Sequence, residues 1–126
     1  MNFLVLLKIE KRFFLFEFRS AQLSAGQEHD VQGFIEDLKI LMNLARDLNI
    51  QIHMDIIGHA DSLGTENANL VISQERAQKI LSIIFKEGFE AKSFTSLGMG
   101  SREPFQEEKT NRDRELNRRV TIRVTG

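Results

Sequence analysis

Apolar residues recur along the chain with two different periods, and these periods predict where helices and strands lie. From about residue 27 to 49 they recur every three or four positions, which is typical of an amphipathic helix packed on a sheet. A second helix is predicted over about residues 67–87, and Gly88 ends it. The apolar positions of the two helices are Val31, Phe34, Ile35, Leu38, Leu41, Met42, Ala45 and Leu48, then Leu70, Ala77, Ile80, Leu81 and Ile84.

Alternation with a period of two predicts the strands. Residues 50–58 alternate isoleucine and methionine with polar side chains, and residues 119–124 alternate valine and isoleucine with arginine and threonine. A further short strand is predicted at residues 94–97, between these two strands along the chain. The apolar segments 3–9 and 13–18 are separated by three charged residues and are interpreted as two short strands, arranged as a hairpin. Ser24 is the candidate N-cap of the first helix, and the charged segment 111–117 fits a helical turn.

The order of these elements predicts the fold class. Strand, helix, strand, helix, strand and strand (βαβαββ) give an α/β sandwich in which a mixed β-sheet carries the two main helices on one face. The 126 residues fit one domain with a single core. That core is expected over about residues 13–124. Residues 1–12 are then an extra N-terminal strand or a segment added by cloning.

Composition excludes several classes of function. Apolar residues make up 41% and charged residues 28% of the chain, as in a globular protein. The net charge of −1 gives no reason to expect a nucleic-acid partner. The sequence contains no cysteine, which excludes disulfides and thiolate metal sites but leaves the compartment open. The N-terminal apolar run is too short for a signal-peptide core or a bilayer span, so no direct membrane insertion is expected, and export would need an upstream segment.

Two opposite charges are the strongest chemical signal. Asp61 follows a predicted strand, and Arg76 lies on the next helix, so both are expected to face one pocket. Such a pocket suits a zwitterion, whose ammonium binds a carboxylate and whose carboxylate accepts two hydrogen bonds from a guanidinium. Asn69, Ser73 and Arg76 are spaced at i, i+4 and i+7, which places an amide, a hydroxyl and a guanidinium on one helix stripe. The simpler alternative is a surface ion pair between Asp61 and Arg76.

A second arginine stands out in the last strand. Arg118 shares the parity of Val120 and Ile122, so it lies on the apolar side of the alternation. An arginine there needs a partner, which is either a carboxylate such as Glu17 or an anion of the ligand. The neighbouring arginines are interpreted as a solvated surface.

Other chemistries are less favoured by the sequence. His53, Asp55, His59 and Asp61 are potential metal ligands, but alternating polar residues usually form the wetter face of a strand. No metal site and no cofactor are therefore predicted, and His59 is expected to brace its loop by hydrogen bonding. No nucleophile–base order specific to a hydrolase is present, so no enzymatic activity is predicted.

Taken in order, these motifs resemble a known family. The matching residues are Gly58, His59, Asp61 and Gly64, then Asn69, Ser73, Arg76 and Ala77, then Gly98, Gly100 and Pro104, and finally Asn117, Arg118, Arg119 and Val120. The pattern resembles the OmpA-like (OmpA/MotB C-terminal) domain, which holds bacterial envelope proteins to peptidoglycan. The resemblance covers about residues 13–124.

The resemblance implies a non-catalytic function and a set of binding residues. Asp61 and Arg76 would grip the diaminopimelate of a peptidoglycan stem peptide, Asn69 and Arg118 would help line the site, and Glu17 would lie near it. Ser73 joins this set from its place on the helix stripe. The implied location is the periplasm or cell envelope. Replacing Asp61 or Arg76 with alanine is then expected to remove binding and leave the fold intact.

An alternative function stays open at this point. An OmpA-like module with weak or no peptidoglycan binding would instead assemble a motor or secretion complex. Residues 3–7, interpreted as an unpaired apolar strand, favour it because such a strand pairs readily with another chain, including a second copy in a homodimer.

Overall fold

The computed structural model describes residues 3–126, without the side chain of Phe3. The elements are α1 (Phe3–Lys11), β1 (Phe13–Leu15), α2 (Gln27–Asp47), β2 (His53–Gly58), α3 (Glu66–Lys86), a 3-10 turn (Ala91–Ser93), β3 (Phe94–Gly98), α4 (Asn111–Asn117) and β4 (Arg119–Thr125). The strands form one mixed sheet in the order β1-β4-β2-β3. Strand β4 is antiparallel to β1 and β2, whereas β2 is parallel to β3. The predicted α/β sandwich is confirmed.

The predicted periodicities account for the core. Alternate residues of β2 and β4 (Met54, Ile56, Val120 and Ile122) are at most 4% exposed and belong to one buried cluster. The stripes of α2 and α3 complete that cluster with Val31, Phe34, Ile35, Leu38, Leu41, Ala45, Ala77, Ile80 and Ile84. The two main helices therefore cover the same face of the sheet, as predicted.

The N-terminal segment differs from the prediction. Residues 3–11 form a helix, not a strand, and the predicted hairpin is wrong. Val5 and Ile9, one helical turn apart, are 8% and 0% exposed and join the core cluster. Leucine and lysine favour a helix, and burial of this i, i+4 pair fixes it in place. The second predicted strand survives only as Phe13–Leu15.

The ends of the two main helices are fixed by different devices. The prediction that Ser24 is the N-cap of α2 is wrong. That position is Gly26, which has a positive φ of 84° and makes no side-chain capping bond. The N-cap of α3 is Thr65, whose hydroxyl accepts a hydrogen bond from the amide of Ala68 at 3.1 Å. This cap starts the helix directly after the loop that carries Asp61.

Two motif glycines let α3 approach the sheet closely. A Cβ atom on Gly58 would lie 1.8 Å from the carbonyl oxygen of Ser73, and one on Gly98 would lie 2.5 Å from the amide nitrogen of Gln74. Backbone atoms cannot yield to such a clash, so only glycine fits at the ends of β2 and β3. The close approach brings the middle of α3, with Arg76, up against the loop that follows β2.

Residues 98–110 and α4 fold over part of the other face of the sheet. The ring centroids of Phe105 and Phe13 are 5.5 Å apart. Asn117 is fully buried, accepts a hydrogen bond from the amide of Phe105 at 2.6 Å and donates to Glu108 at 2.8 Å. Glu108 in turn accepts from the amide of Ser62 at 3.0 Å. Asn117 thereby ties this long loop to the loop that holds Asp61.

Candidate functional site

A pocket lies at the carboxyl end of β2, between α3 and the segment that follows β1. Its cavity volume is about 210 Å³. The lining residues are Phe18, Arg19, Ala60, Asp61, Leu63, Ala68, Asn69, Ile72 and Arg76. The sequence predicted three of these, Asp61, Asn69 and Arg76, as site residues, and the fold brings them together.

A larger groove, of about 880 Å³, lies at the opposite end of β2. It lies at the carboxyl ends of α2 and α3, and its lining includes lysine, arginine and glutamate residues. None of the predicted site residues lines this groove. Size alone does not identify a binding site. Both cavities hold charges of both signs, but those of Lys39 and Glu87 in the groove are exposed, whereas Asp61 and Arg76 are buried, which favours the smaller pocket.

Asp61 is held in place before any ligand arrives. It is 4% exposed, and its Oδ1 accepts a hydrogen bond from the amide of Leu63 at 3.0 Å, which forms a turn over the side chain. Its Oδ2 accepts from Nη1 of Arg118 at 3.3 Å. The ion pair of Asp61 is thus with Arg118, rather than with Arg76.

Arg76 is buried and bonded to backbone carbonyls. It is 1% exposed, and its Nε, Nη1 and Nη2 donate to the carbonyl oxygens of Ser20, His59 and Glu17 at 2.8, 2.9 and 3.0 Å. Burial lowers the pKa of Arg76 to about 10, and the nearby Asp61 charge partly offsets this, so the guanidinium stays charged at neutral pH. Since a guanidinium has five N–H donors, one remains on each terminal nitrogen for a ligand.

Arg118, which the alternation of the last strand placed on the apolar side, has a buried partner in Asp61. It is the C-cap of α4, directly before β4, and its Nε donates to the carbonyl of Phe16 at 3.2 Å. Its guanidinium also lies 5.8 Å from the ring centroid of Phe18. Of the two partners that the sequence suggested, the structure provides a carboxylate, but it is Asp61 and not Glu17.

Three other predicted residues occupy different positions. Asn69 is 4% exposed and lines the pocket. Ser73 is fully buried outside it: its hydroxyl donates to the carbonyl of Leu70 at 2.9 Å and accepts from the amide of Gly100 at 2.8 Å. Glu17 contributes its backbone carbonyl to Arg76, while its residue is exposed. Ser73 therefore supports the loop after β3, and Glu17 positions Arg76.

His59 braces the base of the site. It is 3% exposed, and its Nε2 lies 3.0 Å from Oγ1 of Thr121, while its buried Nδ1 has no hydrogen-bond partner in the described part of the chain. Burial, with a smaller contribution from Arg119 and Arg123, lowers the pKa of His59 to about 3. A neutral ring that donates from Nε2 fits this arrangement. Within residues 3–126 no group of three or more histidine, aspartate or glutamate side chains is arranged to hold a metal ion.

The low pKa of His59 predicts acid sensitivity. The unfolded chain binds a proton at His59 near pH 6.5, and the folded chain does so only near pH 3. The contribution of His59 to the free energy of unfolding is therefore fully present above pH 6.5 and is lost as the pH falls below that value. We expect the free energy of unfolding to fall by about 2 kcal/mol between pH 7 and pH 5 from this group. Urea denaturation at both values measures it. His59→Gln should remove the dependence, whereas substitution of the exposed His29 should not; equal dependence in all three proteins would contradict the assignment.

The sequence did not indicate most of the pocket rim. Phe18, Arg19 and Leu63 border the pocket, and the two apolar residues are 51% and 43% exposed. The predicted strand over residues 13–18 favoured a core position for Phe18, as for the buried Phe14 and Phe16, and Leu63 was a single apolar residue in a predicted loop. Arg19 carried no periodic signal, because it lies in the irregular segment between β1 and α2.

Comparison with solved structures shows the fold. The peptidoglycan-associated lipoprotein from Burkholderia pseudomallei superposes with a TM-score of 0.77 at 22% identity, covering 94% of this chain and 93% of that chain. The C-terminal domain of Helicobacter pylori MotB superposes with a TM-score of 0.74 at 16% identity, covering 91% and 84%. Within residues 3–126 no helix is both long and apolar enough to cross a membrane.

Comparison at the level of sequence shows the family. Outer membrane porin F of Pseudomonas fluorescens is 32% identical over 72 residues, which is 57% of this chain and 22% of that protein. The chain thus spans well under half the length of such curated relatives, which are named for the outer membrane and not for a reaction. The model of the OmpA family matches residues 15–118, within the range that the motifs predicted. The chain belongs to the OmpA family.

Proposed function

We propose that this protein binds peptidoglycan without catalysis, through the diaminopimelate of a stem peptide, and anchors an envelope protein to the cell wall. One observation carries the proposal: the carboxylate of Asp61 and the guanidinium of Arg76 line a single small pocket, and Arg118 is bonded to Asp61 beside it. The compartment that goes with this function is the periplasmic side of the envelope.

The groups of the pocket match the two ends of an amino-acid head. The ligand's ammonium donates to Asp61. Among residues 3–126 each of its two oxygens accepts one hydrogen bond, which leaves each with a lone pair for the ligand. Its carboxylate accepts the remaining N–H groups of Arg76. The amide of Asn69, on the same side of α3, supplies a further polar contact. Because these side chains are almost fully buried, they bind with little loss of side-chain entropy.

The same geometry supports binding over hydrolysis. Asp61 is already paired, and the imidazole of His59 is buried with its Nε2 on a threonine hydroxyl. Neither group is positioned to exchange protons with a substrate bond. The solved relative described as a peptidoglycan-associated lipoprotein adds support for a cell-wall ligand.

The alternative of an assembly module loses its main argument. It depended on an unpaired apolar strand at residues 3–7, but residues 3–11 form a helix that buries Val5 and Ile9. Peptidoglycan binding is therefore the function that the geometry favours.

Co-sedimentation with purified sacculi tests the proposal. The protein should pellet with diaminopimelate-containing sacculi, and a soluble diaminopimelate tripeptide should release it. The same tripeptide with lysine in place of diaminopimelate is the matched competitor, because it lacks the side-chain carboxylate and keeps the ammonium. Release by both tripeptides alike, or no sedimentation at all, would contradict the proposal.

A further inference from the structure

Arg19 occupies a strained position at the mouth of the pocket. Its φ is +50°, a left-handed conformation that is unusual for a residue other than glycine. Its guanidinium lies against Gly64, where a Cβ atom would come within 2.8 Å of Nη2. The guanidinium carbon is also 5.2 Å from the ring centroid of Phe18. The backbone and these two neighbours hold the charged group at the rim.

The donors of Arg19 remain available to a ligand. Among residues 3–126 its guanidinium makes no ion pair or hydrogen bond, in contrast to the buried arginines of the same pocket. Glu17, two residues earlier, is exposed and makes no ion pair with it within the described chain. The five N–H donors of Arg19 therefore have no acceptor within the described residues.

The charge balance of the pocket favours a ligand that carries one more negative charge than a zwitterionic head. Asp61 is neutralised by Arg118, whereas Arg76 is bonded to neutral carbonyl groups. Arg19 adds a third positive charge against the single carboxylate. A zwitterionic head with no net charge leaves an excess of two positive charges, and a ligand with one more carboxylate reduces that excess to one.

We infer that Arg19 is a specificity-determining residue that binds a second carboxylate, beyond the amino-acid head held by Asp61 and Arg76. This inference rests on the proposed function. Two parts of a stem peptide supply that chemistry: the α-carboxylate of the γ-linked glutamate that precedes diaminopimelate, or the C-terminal carboxylate of an alanine that follows it. Both lie one residue from the gripped head, and the pocket thereby distinguishes free from amidated stems.

Calorimetric titration with matched tripeptides and tetrapeptides tests the inference. The two tripeptides differ at the α-carboxylate of the glutamate, which is free in one and amidated in the other. The two tetrapeptides differ in the same way at the C-terminal carboxylate of the alanine. The intact protein should bind the free form of one pair about fivefold more tightly, as expected for an ion pair at an exposed site. The pair that shows this preference identifies the source of the carboxylate.

The variant Arg19→Gln should lose the preference by weakening the free form alone and leaving the affinity for the amidated form unchanged. Arg46→Gln removes the same charge at the far end of α2, where the arginine side chain is 76% exposed, and should keep the preference. Equal affinity of the intact protein for free and amidated forms in both pairs would overturn the inference and leave the proposed function standing. Loss of affinity in Arg19→Gln for free and amidated forms alike would also overturn it. Failure of the intact protein to bind any of the four peptides would refute the proposed function, and the inference with it.

Discussion

Replacing Arg76 with alanine is expected to lower the free energy of unfolding by about 4 kcal/mol, a large part of the stability of a domain of this size. The guanidinium joins three segments through the carbonyls of Glu17, Ser20 and His59. Without it these carbonyls lose a charged donor, and a cavity opens beneath the pocket. The structure thus changes the expectation, drawn from sequence, that this substitution spares the fold.

Urea denaturation followed by circular dichroism measures the effect of Arg76→Ala. Arg46→Ala is the matched control and should change stability by less than about 0.5 kcal/mol, because that side chain is 76% exposed. A loss below about 1 kcal/mol in Arg76→Ala would show that the carbonyl contacts do not hold the loops together.

Replacing Asp61 with asparagine is expected to weaken stem-peptide binding about 100-fold, as is typical when one member of a buried charged pair is removed. Asparagine keeps an oxygen to accept the amide of Leu63, so the turn survives. It removes the charge that attracts the ligand's ammonium, and it leaves the guanidinium of Arg118 without its ionic partner. Because the turn over residue 61 survives, Asp61→Asn separates binding from folding better than a substitution of Arg76 does.

Calorimetry with a diaminopimelate tripeptide measures the loss, and thermal unfolding confirms that the variant is folded. Asp47→Asn is the control of equal charge change, since the Asp47 side chain is 71% exposed at the end of α2. A folded Asp61→Asn protein that binds within about threefold of the intact one would mean that this carboxylate does not hold the ammonium.

The parts of the fold that sequence predicted well are those with long, regular apolar patterns. Helices α2 and α3 and the central strands β2 and β4 bury most of the residues that their periods indicated. The predictions were wrong for Leu48 and Ile50, which are 50% and 41% exposed because they lie between the end of α2 and the start of β2. The prediction of a strand at residues 3–9 was wrong because a short apolar run fits either period. Burial of Val5 and Ile9 against the rest of the protein stabilises the helix instead. The N-cap prediction for α2 was wrong because Gly26 starts the helix without a side-chain hydrogen bond.

The site shows a similar division. The order of motifs identified Asp61, Asn69, Arg76 and Arg118, which the structure gathers at one pocket or next to it. The sequence did not show that three N–H groups of Arg76 donate to backbone carbonyl groups, because those carbonyls belong to segments that are distant from Arg76 along the chain. Ser73 shared the helix stripe of Asn69 and Arg76, but the close approach of α3 to Gly58 and Gly98 buries it.

The central claim is that the small pocket beside Asp61 receives the amino-acid head of a stem peptide. Titrating isotope-labelled protein with a diaminopimelate tripeptide, followed by NMR, tests it most directly. We predict saturable shifts of the Leu63 and Asn69 amides and of the Arg76 Nε–H signal. Shifts confined to the opposite groove, around Arg46 and Phe89, or no shifts at any peptide concentration, would contradict the account.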